Sequence, residues 1–160
     1  MSIIPYIIGL GAGAFVFFKA KKEILSKDGV GIAKYLISLG YSKANASGIA
    51  GNIFVESSYN PLAVGDNGNS FGLAQWHKSR WERLNQWSKK NNKNPNTFQG
   101  QIDYLDWELK NTEKRAYQKL LEAKTPYESA YNFAKYFERP AKISPVRMRT
   151  AEEIYKKLQS

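Results

Sequence analysis

The segment GNIFVESSYNPLAVGDNGNSFGLAQWH, residues 51–77, decides the fold class of this chain. Its first part continues an apolar helical run, places Glu56 in the last turn and ends at Asn60-Pro61. A loop rich in glycine and asparagine follows and carries Asp66, and the segment closes on the sequence FGLAQW. This order predicts a mostly α, α+β domain with one small loop or β-hairpin lobe.

The same segment carries the groups needed to cleave a glycosidic bond. Such an enzyme needs a carboxylic acid in an apolar setting and a second polar group across a cleft. Glu56 falls at a helix C-terminus, where the macrodipole disfavours a carboxylate, and Ile53, Phe54 and Val55 predict an apolar wall beside it. Both effects favour the protonated acid, and we therefore expect Glu56 to protonate the leaving group.

Two short patterns carry a resemblance to a known family. Glu56-Ser57-x-x-Asn60-Pro61-x-Ala63, followed by Gly72-Leu73-x-Gln75-Trp76, resembles the lysozyme-like superfamily of peptidoglycan-cleaving glycosidases, and it is most similar to the phage tail lysozyme family. The resemblance covers about residues 28–158. It implies a lysozyme-like fold, the substrate peptidoglycan, and cleavage of the β-1,4 bond between N-acetylmuramic acid and N-acetylglucosamine.

The resemblance also implies roles for individual residues. Glu56 would be the catalytic acid, the loop around Asp66 would border the cleft, and Gln75 would contact saccharide. Aromatic residues of the segment are candidates for stacking on sugar faces. The candidate substrate-binding residues are Ser57, Ser70, Phe71, Gly72, Gln75 and Trp76.

Asp66 is the second candidate catalytic residue, and its role decides the reaction type. Members of the resembled family place an aspartate about ten positions after the glutamate, with a hydroxyl residue soon after, which here is Ser70. Asp66 would then hold a water molecule for hydrolysis. Alternatively Asp66 is only a turn former, and Glu56 acts alone as acid and then base. That route is the one of a lytic transglycosylase, which leaves 1,6-anhydro ends.

Composition narrows the class of partner and excludes several kinds of site. The formal net charge of +10 favours anionic partners such as nucleic acid, lipid headgroups or a cell-wall polymer. The chain has no cysteine and one histidine, His77, which argues against disulfides and a thiolate or histidine metal site. We therefore expect no metal and no cofactor. Lysines at positions 89, 90 and 93 suggest nucleic-acid binding, but they are typical of a solvated helix end, and we expect no specific nucleic acid.

The N-terminus predicts a membrane anchor. Residues 3–18 carry no charge, and Lys19, Lys21 and Lys22 follow. As a helix this segment spans about 24 Å, slightly less than the ~30 Å hydrocarbon core. We favour a retained single-pass helix over a cleaved signal peptide or a buried core helix. The predicted division is residues 1–26 for the transmembrane helix and basic hinge, and 27–160 for the catalytic domain.

The position of the lysines predicts where the domain lies. Because they follow the apolar segment, the positive-inside rule places the domain on the cytoplasmic face. That face lies beneath the capsid if the membrane is packaged into a virus particle. We expect the internal membrane of a phage virion, or the host inner membrane during assembly, with virion proteins as possible partners.

The rest of the soluble part predicts seven helices. Asp28 and Ser42 cap the first two, Gly40 ends the first, and Thr97 precedes the fourth. The remaining helices are expected over residues 78–91, 113–123, 126–136 and from Ser144-Pro145 to about residue 158, with a corner at 138–140. Trp81 and Trp87 are expected in the core.

The favoured interpretation is a phage muramidase that penetrates the cell wall. Two alternatives come from other classes: a structural membrane protein of the virion that keeps the fold without activity, and a nucleic-acid-binding domain. Glu108 is an additional candidate for a buried ion pair, with Arg139 or Arg147 as its partner.

Overall fold

The computed structural model describes residues 28–160, which form seven α-helices and a small sheet. The helices are α1 (Gly29–Ser38), α2 (Lys43–Ser57), α3 (Lys78–Lys90), α4 (Phe98–Asn111), α5 (Lys114–Glu122), α6 (Pro126–Phe133) and α7 (Val146–Lys157). The strands β1 (Val64–Gly65), β2 (Ser70–Phe71) and β3 (Trp76–His77) lie between α2 and α3. The predicted mostly helical architecture with one small β lobe is confirmed.

The helix starts follow the capping residues of the sequence. The side chain of Asp28 accepts a hydrogen bond from the Gly31 amide (2.8 Å), and that of Ser42 accepts one from Asn45 (3.0 Å). Thr97 caps α4 in the same way. Each bond satisfies an amide that the first helical turn leaves without a backbone acceptor.

Helix α2 is the centre of the domain, and two of its glycines let other helices approach closely. A Cβ at Gly48 would lie 2.5 Å from the Cβ of Ser129 on α6, and one at Gly51 would lie 2.5 Å from the carbonyl oxygen of Arg147 on α7. Ile49 and Ile53 on α2 are fully buried in the same core. The close approach brings the start of α7 beside the last turns of α2.

The three short strands form an antiparallel sheet in the order β1-β2-β3, with Phe71 opposite both Val64 and Trp76. The buried side chain of Gln101 on α4 fixes both ends of this lobe. Its Oε1 accepts from the Leu73 amide (2.8 Å), and its Nε2 donates to the Pro61 carbonyl (2.8 Å). The lobe is therefore tied to the helical core.

One helix ends differently from the prediction. Residues 126–136 were expected to form a continuous helix, but α6 ends at Phe133 and the chain continues as a π-helical turn, Ala134–Glu138. Arg139 then adopts a left-handed conformation (φ 55°). The wider turn changes the direction of the side chains that follow Phe133 relative to a regular helix.

The predicted membrane anchor is not part of the described structure. Within residues 28–160, no helix has the length and apolar character to cross a bilayer. The apolar segment 3–18 and the predicted domain boundary at 26/27 lie outside those residues.

Candidate active site

Glu56 lies in the last turn of α2 and forms an ion pair with a buried arginine of α7. Its Oε1 accepts a hydrogen bond from Nη2 of Arg147 at 2.6 Å. The Glu56 side chain is 17% exposed, whereas that of Arg147 is 5% exposed. The carboxyl group is therefore accessible to solvent, while the cation behind it is buried.

Asn52 fixes the orientation of this pair. It precedes Glu56 by four positions and so shares its helix face. Its Oδ1 accepts from Nη1 of Arg147 (2.9 Å), and its Nδ2 donates to the carbonyls of Gly48 and Ala130, both at 2.9 Å. Because the amide is held at both ends, the guanidinium has little freedom to leave Glu56.

The three residues predicted to form an apolar wall beside Glu56 do not share one environment. Ile53 belongs to the buried core, and Phe54 is 38% exposed and packs against Tyr59. Residues one to three positions before Glu56 in a helix do not all face the same way, so adjacency in sequence was a poor guide. The group that contacts the carboxyl is the guanidinium of Arg147.

Ser57 connects the end of α2 to the β lobe. Its hydroxyl donates to the carbonyl of Leu73 (2.9 Å), with the carbonyl of Ile53 at 3.1 Å. Both acceptors belong to the main chain. Ser57 therefore sets the position of the lobe relative to Glu56, which is a different use of the hydroxyl from the predicted substrate contact.

Asp66 lies at the tip of the hairpin. It is exposed, has a φ of 50°, and begins a 3₁₀ turn that continues to Gly68. In the part of the chain that the structure describes, its side chain forms no hydrogen bond or ion pair with protein. The structure thus does not bring Asp66 into the network that holds Glu56.

The remaining predicted residues of the lobe mostly support its conformation. Ser70 and Phe71 are half-buried in β2, where Phe71 stacks on Trp81 with ring centroids 5.6 Å apart. Gly72 is buried with a φ of 73°, and a Cβ there would lie 2.6 Å from Oε1 of Gln101. Gln75 is half-buried, and its amide donates to the Gly72 carbonyl (3.0 Å).

Trp76 is fully buried, which does not fit its predicted contact with saccharide. Its indole Nε1 donates to Oε2 of Glu108 (2.9 Å). Glu108 also receives two hydrogen bonds from Arg80, at 3.0 and 2.9 Å. The predicted buried pairing of Glu108 with Arg139 or Arg147 is wrong, since Arg80 is its partner.

Trp81 and Trp87 are half-buried and pack against the core, as expected for residues at helical spacing. Trp87 makes edge contact with the buried ring of Tyr104 at 5.6 Å. Both tryptophans therefore stabilise the attachment of α3 to the rest of the domain.

Glu138 is a carboxyl group near the site that was not predicted to belong to it. It ends the π-helical turn, and its Oε1 is buried with no hydrogen-bond partner in the described chain. Burial, and secondly the charge of Glu56, raise the pKa of Glu138 well above its ordinary value. The protonated form of Glu138 is therefore favoured relative to that of an exposed glutamate.

A comparison with known protein families identifies the family of this chain. A model of the phage tail lysozyme family matches residues 30–158. The chain belongs to the phage tail lysozyme family. Membership indicates a muramidase-like, peptidoglycan-degrading role and a glycosidase activity, with peptidoglycan as substrate.

In this phage tail lysozyme family member, a groove of about 770 Å³ lies beside the corner that follows α2. It is lined by residues 58–62 on one side and 96–99 on the other, including the rings of Tyr59 and Phe98. Aromatic and aliphatic surfaces of this kind suit the apolar faces of sugar rings. Glu56 lies on the helix that leads into one wall of the groove.

Three residues of the site were missed by sequence reasoning. Of the three, Asn52 has the clearest signal in the sequence, because it is a polar residue four positions before Glu56 within an apolar stretch of the helix. Arg147 and Glu138 lie 91 and 82 positions after Glu56 in the sequence, and no local pattern pairs them with it. These groups come together only through tertiary packing: α7 packs against α2, and the π-helical turn follows α6, which also packs against α2.

Proposed function

We propose that the protein is a membrane-anchored phage muramidase that cleaves the β-1,4 bond between N-acetylmuramic acid and N-acetylglucosamine, with Glu56 as general acid. The observation that carries the proposal is the Glu56–Arg147–Asn52 arrangement at the end of the central helix. It holds one partly exposed carboxyl group in a fixed position beside the β lobe. Protonation of a glycosidic oxygen requires a carboxyl group that is held in place and open to substrate, and Glu56 meets both conditions.

The ion pair suits the reaction because of the charge that the reaction creates. As Glu56 gives its proton to the leaving oxygen, negative charge develops on its carboxyl group. The guanidinium of Arg147, 2.6 Å from Oε1, is already in place to stabilise that charge. A group whose interaction strengthens as the reaction proceeds lowers the barrier more than it favours the bound substrate.

A lytic transglycosylase is the second candidate, and the setting of Asp66 favours it. A residue that positions water must itself be held, yet the Asp66 side chain has no protein partner among residues 28–160. Without a contribution from Asp66, Glu56 would act as acid and then as base. The 6-hydroxyl of N-acetylmuramic acid would then attack and leave an anhydro product.

Glu56→Gln tests the role of the acid. The amide keeps the shape and can still accept from Arg147, but it has no proton to donate at neutral pH. We expect the rate of saccharide release from purified peptidoglycan to fall by at least ~100-fold, the usual contribution of a general acid. Glu82→Gln on the exposed face of α3 makes the same charge change and should act as wild type. If Glu56→Gln stays within a few-fold of wild type, the protein is not a glycosidase of this mechanism.

The proposed anchor, residues 3–18, holds the domain on the cytoplasmic face of the host inner membrane and later in the internal membrane of the virion. The apolar segment and the lysines after it support this proposal. Protease treatment of sealed spheroplasts that express the full chain tests it. Protection of the domain until the membrane is opened is expected, and cleavage in sealed spheroplasts would contradict the topology.

A further inference from the structure

Five ionisable side chains, including the proposed acid Glu56, form an electrostatically coupled cluster. Two guanidinium groups are each paired with one carboxylate: Arg147 with Glu56 (2.6 Å) and Arg80 with Glu108 (2.9 Å). The third carboxyl group, Glu138, interacts electrostatically with all four. In the region from 28 to 160 it forms no ion pair of its own, so the cluster contains one carboxyl group more than its cations can match.

Two atoms of this cluster lack hydrogen bonds, and their chemistry is complementary. Buried side-chain atoms without a partner number four in the described chain, and two of them are Oε1 of Glu138 and Nε of Arg147. One is an acceptor and the other a donor. A buried polar atom without a partner is costly, and each one in a folded protein needs an explanation, such as a catalytic role or a bound water.

The charge balance of the cluster depends on one proton. With all three carboxyl groups ionised the five side chains carry a net charge of −1, and with one proton they are neutral. To act as an acid, Glu56 must carry that proton, and the buried Arg147 then loses its anion. An ionised Glu138 is the group that can replace it, because Glu138 interacts electrostatically with Arg147 and each side chain has a buried atom without a hydrogen bond.

We infer that Glu56 and Glu138 share one proton and alternate as the anion opposite Arg147. In the resting protein Glu138 is protonated and Glu56 ionised. In the reactive form the proton is on Glu56, and Glu138 carries the negative charge, so that proton and charge both balance. Glu56 is partly exposed and exchanges its proton with solvent. Glu138 does not touch the substrate and is a positioning residue that acts through Glu56; the inference rests on the proposed role of Glu56.

The protonation state of Glu138 is measured directly on the full-length protein. With ¹³C-labelled glutamate Cδ, one carboxyl resonance should remain protonated at neutral pH, whereas exposed glutamates ionise near ~4.3. In Glu56→Gln the repulsion by Glu56 is gone and Arg147 lacks an anion. The pKa of Glu138 should then fall, and the midpoint of this resonance should move towards acid by about one pH unit or more. Glutamates that all titrate near their ordinary value in wild type would overturn the inference.

The pH dependence of kcat/KM tests the coupling in a second way. In wild type, ionisation of Glu138 makes protonation of Glu56 more favourable and extends activity towards alkaline pH. Glu138→Gln keeps the shape but cannot take this charge. The kcat/KM of Glu138→Gln should match that of wild type at acid pH and fall below it at alkaline pH. The loss should be about tenfold for each pH unit by which the protonation of Glu56 and that of Glu138 are coupled.

Glu113→Gln is the matched control for this variant. It removes the same charge from a glutamate whose partner, Arg139, is exposed, and its profile should follow that of wild type. A Glu138→Gln profile that superimposes on wild type would overturn the proton-sharing inference and leave Glu56 as the acid. Full activity of Glu56→Gln would instead remove the proposed function, while the resonance of Glu138 could still be measured.

Discussion

At the scale of single residues, the proposed role of Glu56 depends on its ion pair with Arg147. Arg147→Met keeps most of the side-chain volume but removes the buried guanidinium, which leaves Asn52 without its donor. We expect a loss of roughly 3 kcal/mol in the free energy of unfolding, typical of breaking a buried pair on one side. Urea unfolding at neutral pH measures it, and activity per folded molecule should also fall.

Arg139→Met is the control for that prediction. Arg139 also forms two hydrogen bonds with a glutamate, Glu113, but its side chain is 52% exposed. Pairs in water contribute at most about 1 kcal/mol, because solvent screens them. Equal losses in the two variants would contradict the view that burial makes the Arg147 pair different.

The sequence indicated Glu56 as a candidate acid but did not indicate its surroundings. Glu56 stands out because helix, corner and loop signals follow one another within a few residues. Arg147 and Glu138 come from a distant helix and from a turn of unusual geometry, and their pairing depends on tertiary packing that local patterns do not contain. The same reason explains why Trp76, predicted at the cleft, is buried against Glu108.

At the scale of elements, the approach of α7 to α2 depends on Gly51. Alanine normally stabilises a helix by up to ~1 kcal/mol relative to glycine. Here a Cβ would lie 2.5 Å from the Arg147 carbonyl oxygen and 2.9 Å from the Ala151 nitrogen, both backbone atoms that cannot yield without moving α7. Gly51→Ala should therefore lower both the thermal midpoint and the activity, because Arg147 moves with its helix.

Gly48→Ala acts directly on α6, and its effect on Arg147 is indirect, through the Gly48 and Ala130 carbonyls that hold Asn52. Its Cβ would meet Ser129 and Ala130 on α6, and not α7. We expect it to lose stability, but to retain more activity than Gly51→Ala when both are measured well below their thermal midpoints. A Gly51→Ala variant as stable and active as wild type would contradict the packing argument.

Helix starts were the most predictable elements. Asp28, Ser42 and Thr97 all cap the helices that their positions indicated, since capping is a local interaction. The π-helical turn after Phe133 was not predicted, because the hydrophobic spacing before it is that of an ordinary helix. Glu138 is the last residue of that turn, so its position near Glu56 could not be predicted from the hydrophobic spacing either.

At the scale of the whole molecule, the net charge of +10 predicts electrostatic attraction to the wall. Screening shortens the range of such attraction from about 10 Å at 0.1 M salt to about 3 Å at 1 M. Sedimentation with walls that carry anionic polymers should therefore show adsorption that weakens as salt rises. Walls stripped of those polymers should adsorb less protein, and this adsorption should depend less on salt. Adsorption that does not change with salt on either kind of wall would contradict this prediction.

The central claim is that one carboxyl group, Glu56, cleaves the glycan strand of peptidoglycan. Mass spectrometry of the saccharide ends released by wild type and Glu56→Gln from purified peptidoglycan tests it most directly. We expect N-acetylmuramic acid ends with wild type, reducing for a hydrolase or 1,6-anhydro for a transglycosylase, and almost none with Glu56→Gln. Reducing N-acetylglucosamine ends, cleaved peptides without new saccharide ends, or unchanged release by Glu56→Gln would contradict it.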